Sequence, residues 1–264
     1  MIEFQQTAAA IYLAAGIFSL LGLALPAPWL GRLGVRLLAL GAGVQGIAFA
    51  SLHRMSPVPD LTDLLYTVSF SAWAAVLSLL LLMWRLRISG LTAAVGPLAF
   101  LAVFLPSLGG VPIADSGAPL LEGAVPHAHT LLSSAGLGLL GIAGLAGVFY
   151  LAEHRHLKSK RLVGRRLALP SLEALDKVDT AALVVGFPLL TLGLITGSAW
   201  LHASSGEFWV WTPHAIWTLV GWGIYATMAF ARFGGGQSAR QAAASSVGGF
   251  VFLFFAVVGV ELLK

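Results

Sequence analysis

The sequence predicts an all-α, polytopic membrane bundle of about eight transmembrane helices, formed as one domain over residues 1–264. Hydrophobic residues make up 58% of the chain and charged residues 10%, whereas a soluble domain carries about a quarter charged residues. So few charges cannot cover a water-facing surface. The mean hydropathy of +0.89 also indicates a membrane protein. The chain has no cysteine, which excludes disulfides and thiolate metal sites.

Eight apolar segments are long enough to cross a bilayer, which takes roughly 20 residues. These segments are 8–26, 34–52, 63–84, 91–108, 128–151, 181–202, 213–231 and 245–263. The fourth segment is the shortest and contains Pro97 and Pro106, which favour a kink or a tilt. We expect no buried charged side chain within the spans, which argues against an ion transporter.

The distribution of basic residues predicts the orientation. Thirteen of the fifteen fall on one side of the predicted spans: Arg32, Arg36, Arg85, Arg87, Arg155, Lys158, Lys160, Arg161, Arg165, Arg166, Lys177, Arg232 and Arg240. Only Arg54 and Lys264 fall on the other side. Because Lys and Arg concentrate in cytoplasmic loops, both termini are predicted to be extracytoplasmic, in a multi-pass protein of the bacterial inner membrane.

The longest predicted cytoplasmic connection, residues 153–180, has two halves. The first half, HRHLKSKRLVGRR, is basic and is typical of a segment that contacts anionic lipid. The second half, LPSLEALDKVD, spaces Leu169, Leu172, Leu175 and Val178 three apart, which predicts a short amphipathic helix on the membrane surface. A docking surface for a cytoplasmic partner is the alternative.

A glycine ridge is predicted within the fifth span. Its sequence GLGLLGIAGLAG repeats glycine every third residue, at Gly138, Gly141, Gly144 and Gly147. Small residues along one ridge allow close helix packing in membranes. We expect this ridge to pack within the bundle rather than to form a dimer seam.

Five of the seven histidines lie at predicted outer helix ends: His53, His127, His129, His202 and His214. A single one of these would be an ordinary interfacial residue, but the gathering is typical of iron or copper ligation by imidazole. His127 and His129 point to nearly opposite faces of a helix, and the face shared with Ser133 and Gly136 favours His129. The predicted metal ligands are His129, His53 and His202.

A tryptophan-rich stretch, HASSGEFWVWTPHAIW (202–217), connects the sixth and seventh spans. Trp29, Trp84 and Trp200 fit an interfacial aromatic belt. Trp209 and Trp211 differ, because they stand two apart in a loop marked by Gly206 and Pro213 and so share one face of an extended segment. Such an apolar wall suits a porphyrin, and Arg54 could pair with a propionate; a contact with lipid phosphate is the alternative for Arg54.

The same stretch resembles the tryptophan-rich signature of the cytochrome c assembly superfamily, approximately W-G-x-x-W-x-W-D-x-K-E-x-W. Gly206, Trp209, Trp211 and Trp217 match it, while Ser205, Thr212, His214 and Ala215 stand in place of Trp, Asp, Lys and Glu. Similar runs are LHRMSPVPDLTDLLYTVSFSAW, HTLLSSAG, LPSLEALDKVDTAALVVGFPLLTLGLITGSAW and WGIYATMAFAR, so that the resemblance covers roughly residue 40 to the end.

Two differences from complete haem lyases indicate which branch of the superfamily the chain resembles. Phe230 stands where complete haem lyases carry a membrane-embedded histidine, and the sequence ends at Lys264, before their second outer histidine. The chain is therefore similar to the shorter, eight-span HemX-like branch of the superfamily, and complete haem lyase activity is not expected.

The resemblance implies binding of haem b near the outer face, for cytochrome biogenesis or electron transfer. His129 would ligate the iron with His53, His202 or His214 as a possible partner, Trp209, Trp211 and Trp217 would cover the porphyrin, and Arg54 would meet a propionate. The implied partners are the lipid bilayer and either other membrane subunits or apocytochrome c; nucleic acid is not expected. The alternative is a haem-free assembly factor, regulator or accessory subunit of a respiratory or photosynthetic complex.

Overall fold

The computed structural model describes residues 2–25, 27–52, 64–86, 90–108, 124–158 and 169–256. Over these ranges the chain forms eight α-helices and no β-strand. The helices are α1 (Ile2–Ala24), α2 (Pro28–Leu52), α3 (Leu64–Leu86), α4 (Thr92–Leu108), α5 (Ala124–Lys158), α6 (Leu172–Ser205), α7 (Pro213–Phe233) and α8 (Ala239–Phe254). The all-α prediction is confirmed.

Five of the described helices, α1, α2, α3, α5 and α6, are long and apolar enough to cross a bilayer. The 17-residue helix α4 is apolar but shorter, and it contains both Pro97 and Pro106. The chain is therefore a polytopic helical membrane protein. The crossing by α7 and α8 and the outside location of both termini stay predictions.

The chain divides into two compact units, one holding α1–α4 and the other α5–α8; a single transmembrane domain stays a prediction. In the first unit, α1 packs against α2 and α4. Helices α1 and α4 approach closely, since a Cβ atom on Gly96 would lie 2.6 Å from the backbone nitrogen of Gly16. Buried polar groups join three helices: Tyr12 Oη donates to Gln45 Oε1 (2.7 Å), and Gln45 Nε2 donates to the Ser69 carbonyl (3.1 Å).

Helix α5 is the centre of the second unit and packs against α6 and α8. The predicted glycine ridge lies against α8: Cβ atoms on Gly141 and Gly144 would meet Phe250, and one on Gly147 would lie 2.5 Å from the Ala243 carbonyl oxygen. The expectation that the ridge packs within the bundle is confirmed for these three glycines. Because later residues of α5 meet earlier residues of α8, the two helices run antiparallel.

The segment LPSLEALDKVD differs from its prediction. Its residues from Leu172 onward form the first turns of the long helix α6 rather than a separate surface helix, and Ser171 caps that helix by accepting a hydrogen bond from the Ala174 amide (3.2 Å). Leu175 and Val178 are buried, so their apolar face covers other helices instead of a membrane surface. Residues 159–168 of the basic half lie outside the described part of the chain.

A buried carboxylate on α6 contradicts the expectation that the spans bury no charge. Because α6 begins at Leu172 and not at residue 181, Asp179 lies on it, and only 3% of this residue is exposed. Its neighbours include Ser246 of α8 and the Arg232 guanidinium of α7. Arg232 Nη2 donates to Asp176 Oδ1 and to Thr180 Oγ1, each at 2.7 Å. The sequence analysis did not predict this cluster because its members come from three helices that are distant in the chain.

Replacing Arg232 with glutamine is expected to lower the free energy of unfolding by about 2 kcal/mol, because Asp176 and Asp179 would lose their cation. Removal of one partner from a fully buried pair costs roughly 3–5 kcal/mol. The cost is smaller here because the Asp176 side chain is 28% exposed and water partly solvates its charge. Reversible unfolding in detergent measures the difference. Lys177→Gln is the control, since it breaks the exposed Lys177–Glu173 pair on the same helix and should change stability little. Equal losses for the two variants would contradict the expectation.

Candidate functional site

His129 lies on α5 and contacts α6. Its Nδ1 atom is 2.8 Å from the Gly193 carbonyl oxygen and 3.4 Å from Ser133 Oγ. His129 is half-buried whereas His127 is exposed. The prediction that His129, and not His127, faces the bundle is confirmed.

The contact with Gly193 determines the tautomer of His129. A carbonyl oxygen accepts hydrogen bonds and cannot donate them, so Nδ1 must carry the proton that it shares with Gly193. In the neutral ring, Nε2 then holds the free electron pair. An Nδ1–H group bound to a backbone carbonyl is the usual support of a histidine that ligates a metal through Nε2.

Small residues on α6 make room for the imidazole of His129. A Cβ atom on Gly197 would lie 2.7 Å from His129 Nδ1 and 2.8 Å from Cε1. The Trp200 ring stacks on the imidazole of His129, with the two ring centroids 6.4 Å apart and the two planes tilted by 29°. Gly193, Gly197 and Trp200 follow one another at spacings of four and three residues, which places them on one face of α6.

Trp200 and the two glycines are members of the site that sequence reasoning missed. Trp200 was expected to belong only to the interfacial belt, an interpretation that suits Trp29 and Trp84, which are 57% and 72% exposed. The signal that could have identified Trp200 is its spacing from Gly193 and Gly197, together with the same small-residue periodicity on α5.

The loop between α6 and α7 is fixed at both ends by its sequence. Gly206 ends α6 in the left-handed conformation with φ 79°, which favours glycine. Thr212 begins α7 by accepting a hydrogen bond from the Ala215 amide (3.2 Å). Thr212 replaces the aspartate of the signature, and because both residue types serve as N-caps, the replacement preserves the end of the loop.

His202 contacts this loop rather than α5. Its Nδ1 donates to the Gly206 carbonyl (2.9 Å), and its ring stacks on Phe208 with centroids 3.7 Å apart. Ser198 Oγ donates to the Phe208 carbonyl (2.6 Å), so the last turns of α6 hold the loop in two places. His202 lies two residues after Trp200, about 200° around the helix. It therefore points away from the face that contacts His129.

The three predicted tryptophans occupy different positions. The rings of Trp209 and Trp211 touch edge to face, with centroids 6.1 Å apart and planes 71° apart, as expected for alternate residues. Trp211 is 74% exposed. Within the described residues, the buried Nε1 of Trp209 has no hydrogen-bond partner. Trp217 packs on α8, where its ring centroid is 5.6 Å from that of Phe252.

The remaining predicted site residues are not placed. His53 and Arg54 lie outside the described residues, and for His214 only its position in the first turn of α7 is described. Among the described residues, no three His, Cys, Asp or Glu side chains gather as a metal site would require. A ligand set that includes His53 stays a prediction.

The fold and these contacts define a class: a polytopic membrane protein that gathers a supported histidine and a tryptophan-rich loop at one end of a four-helix unit. The family described as "Cytochrome C assembly protein" matches residues 61–264. The chain therefore belongs to the cytochrome c assembly protein family, and the resemblance inferred from the sequence is confirmed at that level. The HemX-like branch stays a prediction.

Cyanobacterial proteins named "Cytochrome c biogenesis protein CcsA" are similar to this chain. The protein from Prochlorococcus marinus (strain MIT 9313) is 29% identical over 231 residues, which cover 77% of this chain and 73% of the relative. The protein from Trichormus variabilis (strain ATCC 29413 / PCC 7937) is 35% identical over 105 residues, 40% of this chain and 29% of the relative. The protein from Microcystis aeruginosa (strain NIES-843 / IAM M-2473) is 36% identical over 99 residues, 38% and 30% of the two chains.

Proposed function

We propose that this chain acts in cytochrome c biogenesis by holding haem b near the outer face of the bacterial inner membrane. The observation that carries the proposal is the hydrogen bond from His129 Nδ1 to the Gly193 carbonyl at 2.8 Å. Similarity to proteins named for cytochrome c biogenesis supports the same function. Haem, when bound, supplies redox and ligand chemistry at its iron.

His129 is the proposed iron ligand. The Gly193 carbonyl fixes the ring by accepting a hydrogen bond from Nδ1–H, and in the neutral ring this leaves Nε2 as the nitrogen with a free electron pair. Hydrogen bonds of this kind commonly hold a metal-ligating imidazole in one orientation. Trp200 and Gly197 restrict the orientation of the ring from the α6 side.

The tryptophan-rich loop is the proposed cover for the porphyrin, through Trp209, Trp211 and Trp217. An unpaired buried N–H donor costs roughly 1–3 kcal/mol, so Trp209 Nε1 is expected to donate to a ligand carboxylate such as a propionate. Arg54 is the proposed partner of a propionate, and His53 or His214 is the proposed second ligand. The contacts of His202 with Gly206 and Phe208 suit a supporting role for the loop.

Apocytochrome c is the proposed protein partner at this end of the second unit. Phe208 and Trp211 are 61% and 74% exposed on the loop, and exposed aromatic side chains are enriched in binding surfaces. Other membrane subunits are the alternative partners, and the lipid bilayer surrounds the helices.

A second candidate is a haem-free assembly factor or accessory subunit. The observation that favours it is Phe230, which occupies the position of a histidine in complete haem lyases and is a largely exposed side chain that cannot ligate iron. This candidate uses the same fold and the same outer loop but needs no cofactor.

Absorption of the protein purified from haem-sufficient cells separates the two candidates. Haem handling predicts a Soret band, a reduced-minus-oxidised spectrum and about one haem per chain, because one supported histidine is present on α5. A monodisperse protein that is colourless after both purification and haem addition, and that retains other membrane subunits, would contradict haem binding and support the second candidate.

A further inference from the structure

A basic cavity lies between the end of α5 and the beginning of α8, within the second unit. Its volume is about 180 Å³, and it is lined by Leu151, His154, Arg155, Lys158 and Arg240. Since one water molecule occupies about 30 Å³ of liquid, the cavity can hold a polyatomic anion. It is separate from the residues that contact His129.

Helix geometry explains why the cavity is basic. Leu151, His154, Arg155 and Lys158 follow the spacing of one α5 face, whereas Glu153 is about 200° around the helix from Leu151. Helix α8 then contributes Arg240 from its first turn. The helices touch at Gly147 and Ala243, one turn from Leu151 and Arg240 respectively. The cavity therefore opens where the two antiparallel helices separate.

The charges in this cavity lack a counter-ion among the described residues. The ion pairs of the described chain join Lys177 to Glu173 and Arg232 to Asp176, and neither involves Arg155, Lys158 or Arg240. The connecting sequence at 159–168, SKRLVGRRLA, contains no Asp or Glu. The three exposed side chains therefore leave their charges available to an external anion in the cavity.

The position of Arg240 also favours an anion in this cavity. Basic residues at the end of α5 are favourable, since a helix C-terminus carries partial negative charge. Arg240 instead occupies the first turn of α8, where Ser238 caps the helix and the dipole is positive. A cation at that position is unfavourable unless an anion binds beside it.

We propose that this cavity binds the phosphate group of an anionic phospholipid through Arg155, Lys158 and Arg240. A lipid is favoured over free phosphate because the apolar side chain of Leu151 lines the same cavity. The cavity also lies at the end of α5, a candidate membrane span, and at the start of α8, a predicted span, on the side predicted to be cytoplasmic. The phosphate accepts hydrogen bonds from the two guanidinium groups and the ammonium group. His154, with its ring stacked against that of Tyr150 at 6.2 Å, forms part of the wall.

Native mass spectrometry of the full chain tests the site, with phosphatidylglycerol and phosphatidylcholine of identical acyl chains. The wild-type protein is expected to retain one phosphatidylglycerol in preference to phosphatidylcholine. Arg240→Gln is expected to weaken that binding about fivefold, since one basic contact with an anionic lipid contributes about 1 kcal/mol. Lys177→Gln removes the same charge from an exposed position on α6 and should leave the binding unchanged.

Thermal unfolding shows whether Arg240 has only a structural role. Without anionic lipid, Arg240→Gln should melt at or above the wild-type temperature, because it relieves the charge at the α8 N-terminus. Added phosphatidylglycerol should stabilise the wild type more than the variant. Equal lipid binding by both proteins, no preference over phosphatidylcholine, or equal stabilisation by millimolar inorganic phosphate would overturn the proposal. Haem content is expected to be the same in Arg240→Gln as in the wild type, because Arg240 lies apart from the residues that contact His129, so this test is independent of the proposed function.

Discussion

Purified His129→Ala protein is expected to lack the Soret band of the wild type and to contain less than a tenth of its haem. The substitution removes an imidazole of α5 that an α6 carbonyl holds in place, with Nδ1 2.8 Å from the Gly193 oxygen. If His129 binds the haem iron as proposed, its loss would remove the main bond between the protein and the haem. Haem-to-protein ratios from absorption spectra, before and after haem addition, measure the effect.

His127→Ala is the matched control, because it removes an exposed imidazole from the same turn of α5. It should retain haem at the wild-type level. Gly197→Ala is a second variant, which keeps the imidazole but places a methyl group 2.7 Å from its Nδ1. We expect Gly197→Ala to lower haem content partially and to shift the Soret maximum. If His129→Ala were folded and kept its full haem complement, His129 would not be the ligand.

Gly136→Ala is expected to lower the free energy of unfolding by about 1–3 kcal/mol, the usual range for overpacking a close contact. The added Cβ atom would lie 2.7 Å from the Leu190 backbone nitrogen and 3.0 Å from the Gly186 carbonyl oxygen. Backbone atoms cannot rotate away as the end of a side chain can. Helices α5 and α6 must therefore separate, and reversible unfolding in detergent measures the cost.

Gly223→Ala controls for the change of residue type. Gly223 lies inside α7, and a Cβ atom there would meet no other atom within 4 Å. Both variants gain the same helix propensity, about 1 kcal/mol at most, so their difference in stability isolates the α5–α6 contact. Similar stability changes in the two variants would show that the seam tolerates a methyl group.

Hydropathy predicted the helices because a span needs a long apolar run, and the agreement is best where the run ends abruptly. The fourth span was predicted at 91–108 and α4 covers Thr92–Leu108. The prediction for α6 began at residue 181, whereas the helix begins at Leu172. The apolar run of the sequence is interrupted by Asp176 and Asp179, so hydropathy alone begins the span after them. In the structure Arg232 of α7 lies beside these two carboxylates, and this contact depends on the tertiary fold.

The candidate site was predictable to the extent that it follows helical periodicity. His127 and His129 point to nearly opposite faces of the helix, and the small residues Ser133 and Gly136 on the face of His129 selected it as the residue that faces the bundle. The positions of Trp200 and His202 were not predictable in the same way. Trp200 contacts His129 only because Gly193 and Gly197 bring α5 close to α6, and His202 is held by a loop whose path depends on Gly206 and Ser198.

The lengths of α5 and α6 have a consequence for how the protein responds to its membrane. With 35 and 34 residues, each helix is about 50 Å long at 1.5 Å per residue, while the hydrocarbon layer is about 30 Å thick. Mismatch of this size is accommodated by tilting or by extension into the headgroup region. Since backbone contacts at Gly136 and Gly193 couple the two helices, we expect them to tilt as one body. A thinner or thicker bilayer would then change the depth of His129 without breaking its hydrogen bond to Gly193.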